Sequence, residues 1–508
     1  MKGIFLAVCF LFLTACGGGG SSEPAPATPV TTTPTTPTVK LFEPEPLVIQ
    51  DAETFYSSVC VEPHNYRPSI QFVIPVTLND DEYTDFFVVY WCDLKSEYWG
   101  TTQTEATPNL VVAQVSDGAG GWYADNELVF NDSWPALAGA SRKYTSGDFN
   151  NDGKVDFAFA MNWEDGRGAD SVYDSSQSIL ISHDDHYEIL NGGCPCWGHA
   201  VASRPNDKGF DDVLFAGYCN NYYFQAYTFL EEPEPKFTTV TDSYPMGINM
   251  PASHWATDFQ VVGTDGIVGT TCVEQDCGIG LFYESLDWQM TGSYLLQKEF
   301  DIEWYNWNND FSSATVYNVN GELLVGVGAS QMCVIGEETV VAMFDGQKHP
   351  TQEMDPNITY DMDEFDDHRF ILVFDIVDGE LVQREQPFVN EPNNYNANFF
   401  DCKDINGDGN TDIVISQFSR SKYDILLGGR PLVFLNDGNQ FVNYEVATEV
   451  VLPGHSIVRE NAQGYMYDVN SDGYQDVVVF GETTQHDGTI EIYTANKHLS
   501  LLDTPEDM

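Results

Sequence analysis

The sequence predicts an all-β chain folded as a seven-bladed β-propeller with calcium-binding loops, and three observations predict it. A nine-residue acidic loop, Asp404 to Asp412 (DINGDGNTD), runs directly into the β-branched strand Ile413-Val414-Ile415. Two near-copies of this loop and strand begin at Asp148 and at Asp468. An acid followed by a short apolar strand recurs at Asp85, Asp156, Asp212, Asp265, Glu322, Asp412 and Asp476, at intervals of 71, 56, 53, 57, 90 and 64 residues. Short strands repeated at a period of that size, with Gly and Asp turns between them, suit propeller blades, and no stretch reads as a helix.

Taken in order, the 508-residue chain opens with Lys2 and the apolar run Ile4 to Leu13. Residues 1–15 therefore read as an export signal, too short to span a bilayer. The ending Leu13-Thr14-Ala15-Cys16 resembles the lipobox of bacterial lipoproteins. That resemblance implies acylation of Cys16, and Gly17 after it implies the outer membrane; the competing reading is an unlipidated signal with a chance cysteine. Residues 16–40, rich in Gly, Pro and Thr, cannot pack a core and read as a tether reaching on the order of 70 Å at about 3.1 Å per residue. Residues 41–508 are left for the propeller.

The formal net charge of −57, from 21 Lys and Arg against 78 Asp and Glu, excludes a basic surface for nucleic acid or anionic lipid. It suits divalent cations or high salt, which screen the self-repulsion. Hydrophobic residues make up 42% of the chain, enough for a core. Of 11 cysteines, Cys9 leaves with the signal and Cys16 carries lipid, so an odd number remains. One free thiol or an intermolecular bond is expected. Cys272 with Cys277 is the expected local pair; Cys60 with Cys92, Cys194 or Cys196 with Cys219, and Cys333 with Cys402 complete the candidates. A zinc site at Cys194-Pro195-Cys196 lacks a second ligand pair.

Calcium is a hard cation that takes six to eight oxygens, and alternate positions of a tight loop converge on one point. Asp404, Asn406 and Asp408 supply such oxygens, Gly409 permits the turn, and Asp412 closes the cage. An EF-hand would need Glu at the twelfth position and a helix after it, but Ile415 stands there inside a strand. The same set recurs as Asp148, Asn150, Asp152 and Asp156, and as Asp468, Asn470, Asp472 and Asp476. A single loop of this kind is also an ordinary Asx-turn; three before the same strand argue otherwise. In the first unit Thr77 replaces the leading Asp, while Asn79, Asp81 and Asp85 remain as a weaker site. Arg204 and Lys208 take ligand positions in the third and would repel a cation, and the fourth and fifth keep little beyond the acid. Three good calcium sites, one weak site and three metal-free blades are expected, with calcium structural because the crowded carboxylates repel one another without it.

A second marker follows several units: a strand, a turn and an aromatic, as in Leu110 to Trp122, Leu432 to Phe441 and, more faintly, Ile179 to Tyr187. Loop, strand and turn together resemble the FG-GAP/VCBS repeats of integrin-α-type propellers, over roughly residues 45 to 500. The resemblance implies a propeller used for binding or adhesion.

Three features outside the loops are candidates for function. The long interval before Asp412 contains a crowd of acids between Gly346 and Phe370, readable as a solvated loop or as a low-affinity cation site. Aromatic and amide residues cluster at Tyr218 to Tyr227 and at Trp304 to Asn309, where they suit either sugar contacts or packing between blades. His183-Asp184-Asp185-His186 reads as an exposed turn. Gly-x-Ser-x-Gly, His-Glu-x-x-His and Walker-type motifs are absent, so no catalytic residue is assigned. The expectation is an outer-membrane lipoprotein whose calcium-stabilised propeller binds a glycan or protein ligand. The alternatives are an outer-membrane assembly factor or a lyase-like, polysaccharide-processing enzyme, which should gather Lys, Arg, Tyr or His at one opening of the channel.

Overall fold

The structure is a computed structural model, and it describes residues 40–49, 66–94, 109–132, 135–138, 140–162, 177–192, 197–219, 222–230, 236–239, 258–273, 276–305, 311–351, 354–361, 364–389, 397–417, 430–454, 463–480 and 490–507. The signal, Cys16 and all of the tether but Lys40 lie outside them, and Val39–Met508 is a compact unit by itself. The secondary structure is mostly strand, because apolar β-branched and aromatic runs of five to ten residues alternate with Asp, Asn and Gly turns.

Among the described residues the strands form seven sheets, and the five four-stranded ones stand as blades of a propeller-like ring. The first four sheets are simple meanders of Tyr66–Val76 through Trp122–Ala124, Ala140–Gly147 through Tyr187–Gly192, Trp197–Pro205 through Lys236–Thr239 and Phe259–Val262 through Gln289–Leu295. The last is closed from the other end of the chain. Leu47–Ile49 pairs antiparallel with Ile490–Tyr493, beside Asp476–Phe480 and Gln463–Tyr467. The sixth runs Ala397–Lys403, Asp412–Gln417, Pro431–Asn436 and Phe441–Asn443, with Phe388–Val389 added parallel to its edge.

Second strands are buried on both faces because each sheet packs between two others, which is why they read as unbroken apolar runs. Phe72, Phe87, Phe157 and Phe159 share the core between the first and second sheets. Ile70, Phe86, Val478 and Phe480 fill the space between the seventh and first. Val341, Val373, Ile413 and Phe434 do so between the fifth and sixth. Each such side chain contributes about 1.5–3 kcal/mol of burial.

Six of the seven predicted acids stand at or next to the start of a second strand. Glu322 does not. It begins the 14-residue strand Glu322–Ile335, which pairs through Glu322 to Val325 with Phe311–Val319 and from Leu324 to Ile335 with Thr339–Lys348. Register shifts between Val325 and Gln331, with Gly326 at φ +63°, bend the strand so that one segment serves two hairpins. The second half packs against the first strands of the fourth and sixth sheets, so the second strand of this blade is Thr339–Lys348. Counted that way, the uneven intervals become 74 residues (265 to 339) and 73 (339 to 412).

The extra chain is therefore not one long loop. Lys298–Tyr305, Phe311–Val319 and Thr359–Asp361 widen this sheet to seven strands. The acidic stretch between Gly346 and Phe370 folds over its own small core of Ile302, Val316, Val325, Met354, Tyr360 and Phe365. Two five-residue helices also occur, Asn126–Phe130 and Tyr444–Thr448, each capped by an Asp or Asn side chain and too short to show a period in the sequence.

Cys333 and Cys402 form a disulfide between the fifth and sixth sheets, with Cα atoms 6.0 Å apart, as expected. Cys272 and Cys277 are direct cross-strand partners by backbone register. Cys60, Cys194 and Cys196 lie outside the described residues, as do the side chains of Cys92 and Cys219.

Candidate functional site

Each acidic loop joins the first strand of a sheet to the second. Its turn needs a residue with positive φ, supplied by Gly153 at +81°, Gly409 at +88° and Gly473 at +90°. A side chain at Gly153, Gly409 or Gly473 would meet no neighbour, so backbone conformation and not space fixes glycine there. Asn150, Asn406 and Asn470 each accept the N–H two residues on, at 3.1, 3.1 and 3.3 Å. Asp148, Asp404 and Asp468 accept the N–H of the turn glycine at 3.0, 2.9 and 3.0 Å.

The closing acids behave differently. Asp85, Asp156, Asp412 and Asp476 are all 0% exposed, and each carboxylate bridges backbone amides of the loop and of the third strand. One oxygen accepts the N–H seven residues back, from Leu78, Phe149, Ile405 or Val469, at 2.6, 2.7, 3.0 and 2.8 Å. The other accepts an N–H at the far end of the third strand, from Ser116, Ser182, Asn436 or Ala495, at 2.7 Å in every case. The acid thus clamps loop to sheet. Burial, opposed by these amides, pushes Asp85 upward, Asp156 and Asp412 up to about 6 and Asp476 up to about 7, with the loop's other acids adding to the shift.

In donor type and spacing these residues fit calcium. They offer oxygen alone, at alternate positions of a glycine-hinged loop, and an oxygen that accepts one amide retains a second lone pair. In the described geometry the leading and middle side chains turn onto the loop's own amides. Among the described residues no three His, Cys, Asp or Glu side chains converge as a metal cluster. In the first unit Asp81 accepts the Ser116 hydroxyl at 2.9 Å, and Asn79 donates to the Ser116 carbonyl at 3.0 Å.

A second constellation lies where the first strands face one another. Lys143 of the second sheet contacts Asp258, which precedes the fourth sheet, at 3.0 Å, and donates to the Ser330 carbonyl in the fifth at 2.8 Å. Asp258, 2% exposed, also accepts the Met332 N–H at 2.6 Å. Lys403 of the sixth sheet donates to the Met466 carbonyl, lies 4.8 Å from the Tyr467 ring centroid and pairs with Asp401 at 3.3 Å. The Tyr467 hydroxyl reaches the Val73 carbonyl at 3.3 Å and pairs with that of Tyr144. Burial pushes the hydroxyls of Tyr144, Tyr465 and Tyr467 well up. Sequence reasoning missed this belt because its members sit on six separate segments with no local motif.

His183 and His186 occupy the exposed turn expected of them, with the His183 N–H donating to the His186 carbonyl at 2.8 Å. The side chains of Tyr218–Tyr227 and residues 306–310 lie outside the described residues.

No protein-family model matches the chain. It is 34% identical to integrin alpha-PS3 of Drosophila melanogaster over 105 residues, which is 20% of this chain and 9% of that protein. The chain thus spans about a tenth of that relative's length. Among solved structures, the V. cholerae biofilm matrix protein Bap1 aligns over 91% of this chain and 90% of its own at 9% identity and a TM-score of 0.33. The rhamnogalacturonan lyase of Bacillus licheniformis aligns over 86% and 75% at 12% identity, TM-score 0.34. The exotype rhamnogalacturonan lyase YesX aligns over 90% and 76% at 11% identity, TM-score 0.36.

Proposed function

We propose that this chain is a calcium-stabilised, seven-bladed propeller that serves as a binding or adhesion module for a glycan or protein ligand, held to the outer membrane by lipid on Cys16. The extra strands of the fifth and sixth sheets are additions to four-stranded blades. Asp148, Asn150 and Asp152, with their counterparts in the sixth and seventh units and the weaker Asn79 and Asp81, would hold the metal, while the closing acids fix each loop to its sheet. Bound calcium would supply charge neutralisation to the crowded carboxylates.

The belt between the first strands carries the choice of binding over catalysis. A polysaccharide-processing enzyme would need Lys or Tyr there in a reactive state. Lys143 and Lys403 are instead each paired with an aspartate, at 3.0 and 3.3 Å. A glycan array with and without calcium, paired with protease shaving of intact cells, tests the reading. Calcium-dependent retention on the array and loss of the protein from shaved cells are expected; release of product from a polysaccharide would replace this reading with the enzyme, and protection from protease with the assembly factor. Chelation by EDTA should lower the melting temperature by several degrees, and an unchanged melt would remove calcium from the account.

A further inference from the structure

The third unit keeps the glycine and asparagine of the calcium pattern but reverses its charge. Counting back from Asp212 as from Asp156, Asp412 and Asp476, Arg204 stands where the others have their leading Asp and Lys208 where they have the middle one. Asn206 and Gly209 are retained. Gly209 has φ +94°, against +81° to +90° for the equivalent glycines, and a side chain there would likewise meet no neighbour. The Lys208 N–H donates to Asn206 Oδ1 at 2.9 Å, as the equivalent amides do in the other loops. The glycine hinge and the Asn turn are kept, while strand pairing runs one residue further into the loop, with Arg204 opposite Asp212 where the acidic loops pair Gly147, Lys403 and Tyr467 with their closing acids.

The charge-reversed position reaches the next blade. Arg204 is 6% exposed, and its Nη2 and Nε donate to the Thr264 carbonyl, in the fourth sheet's turn, at 2.8 and 3.2 Å. The same guanidinium pairs with Glu284 and lies 5.0 Å from the Trp288 ring centroid. In the metal-type loops, the backbone of this region makes the inter-blade contact: the Asp211 N–H donates to the Asp148 carbonyl at 2.8 Å, and the Thr84 hydroxyl to the Asp468 carbonyl at 3.0 Å.

We infer that the third unit is a calcium loop converted to metal independence, in which the guanidinium of Arg204 is a built-in cation that fastens the third blade to the fourth. This rests on the calcium reading of the other loops.

The test reverses the conversion. Arg204→Asp with Lys208→Asp restores Asp, Asn, Asp, Gly and Asp at the spacing of Asp148 to Asp156. Calcium bound per chain, measured on metal-stripped and reloaded full-length protein, should rise by one over wild type, and the variant should melt lower than wild type in EDTA and recover in calcium. A folded double variant that binds no additional calcium overturns the inference alone. Wild type binding no calcium overturns the calcium reading and the inference with it. Arg204→Met guards against a double variant that does not fold: it should melt a few degrees lower by the same margin with and without calcium. A deficit that calcium abolishes would show that Arg204 does not act as a metal-free tie.

Discussion

Lys143 works at a distance unusual for one side chain, joining the second sheet to the fourth and the fifth and passing over the third. Taking its ammonium and the Asp258 carboxylate out of water is costly, and their attraction repays this only while both are present. Lys143→Met should therefore destabilise the fold by about 3–5 kcal/mol, since it leaves a buried carboxylate without its cation. Adding Asp258→Leu should recover most of that loss, and denaturant melts of the two single variants and the double give the coupling directly. A double variant no more stable than Lys143→Met would mean that the pair does not hold the sheets together. Nothing in the local sequence around Lys143 announces this role. The partners lie 115 and 187 residues away (143 to 258 and 143 to 330), and only the ring brings them within reach.

At the scale of the element, the outermost strands of the fourth and fifth sheets meet at Gly292. A Cβ there would sit 2.7 Å from Glu380 Cα and from the Gly379 carbonyl oxygen, both backbone atoms that cannot swing aside. Gly292→Val should cost about 1–3 kcal/mol and raise hydrogen exchange in Gln289–Leu295 and Glu380–Gln383 before the rest of the ring, measured residue by residue. Protection unchanged in those strands would mean that the blades do not depend on their close approach. Much of the element pattern was legible in the sequence, because the closing acid and the buried second strand must be adjacent for the clamp to form. The amide seven residues back is likewise fixed by loop length. What was not legible has a common cause. The partner amide at the end of the third strand, the bend that lets Glu322–Ile335 serve two hairpins, and the small core beneath the acidic stretch all depend on segments far apart in the chain. Glu322 satisfied the local rule of an acid before an apolar run and still marked the wrong hairpin, since a bend at Gly326 changes which strand is paired without changing the composition of either.

For the whole molecule, closure of the ring rests on the few residues Leu41 to Ile49. The Leu41 N–H donates to the Asp507 carbonyl, Asn496 returns a bond to the Leu41 carbonyl at 2.8 Å, Glu43 donates to Thr494 at 2.9 Å, and Leu47–Ile49 completes the last sheet. Deleting residues up to Ile49 should leave Asp476–Phe480 and Ile490–Tyr493 without their edge partner and expose Ile490 and Ile492. Loss of cooperative melting, with new proteolytic cuts confined to residues 463–507, is the expected outcome; a truncated chain that melts as the full one does would show that the ring closes without its clasp.

This clasp has a mechanical meaning. A pull on the chain ahead of Lys40 enters the ring at Leu41 and passes through three strand residues and a handful of amides to the opposite terminus. The seam that closes the circle is then the first element to feel tension, and it yields in sequence from Leu41 toward Ile49 while the disulfide between Cys333 and Cys402 binds two blades elsewhere in the ring. Under load the molecule would behave as a fuse with a defined breaking point, opening at one joint and lengthening by unzipping while the remaining blades keep their packing.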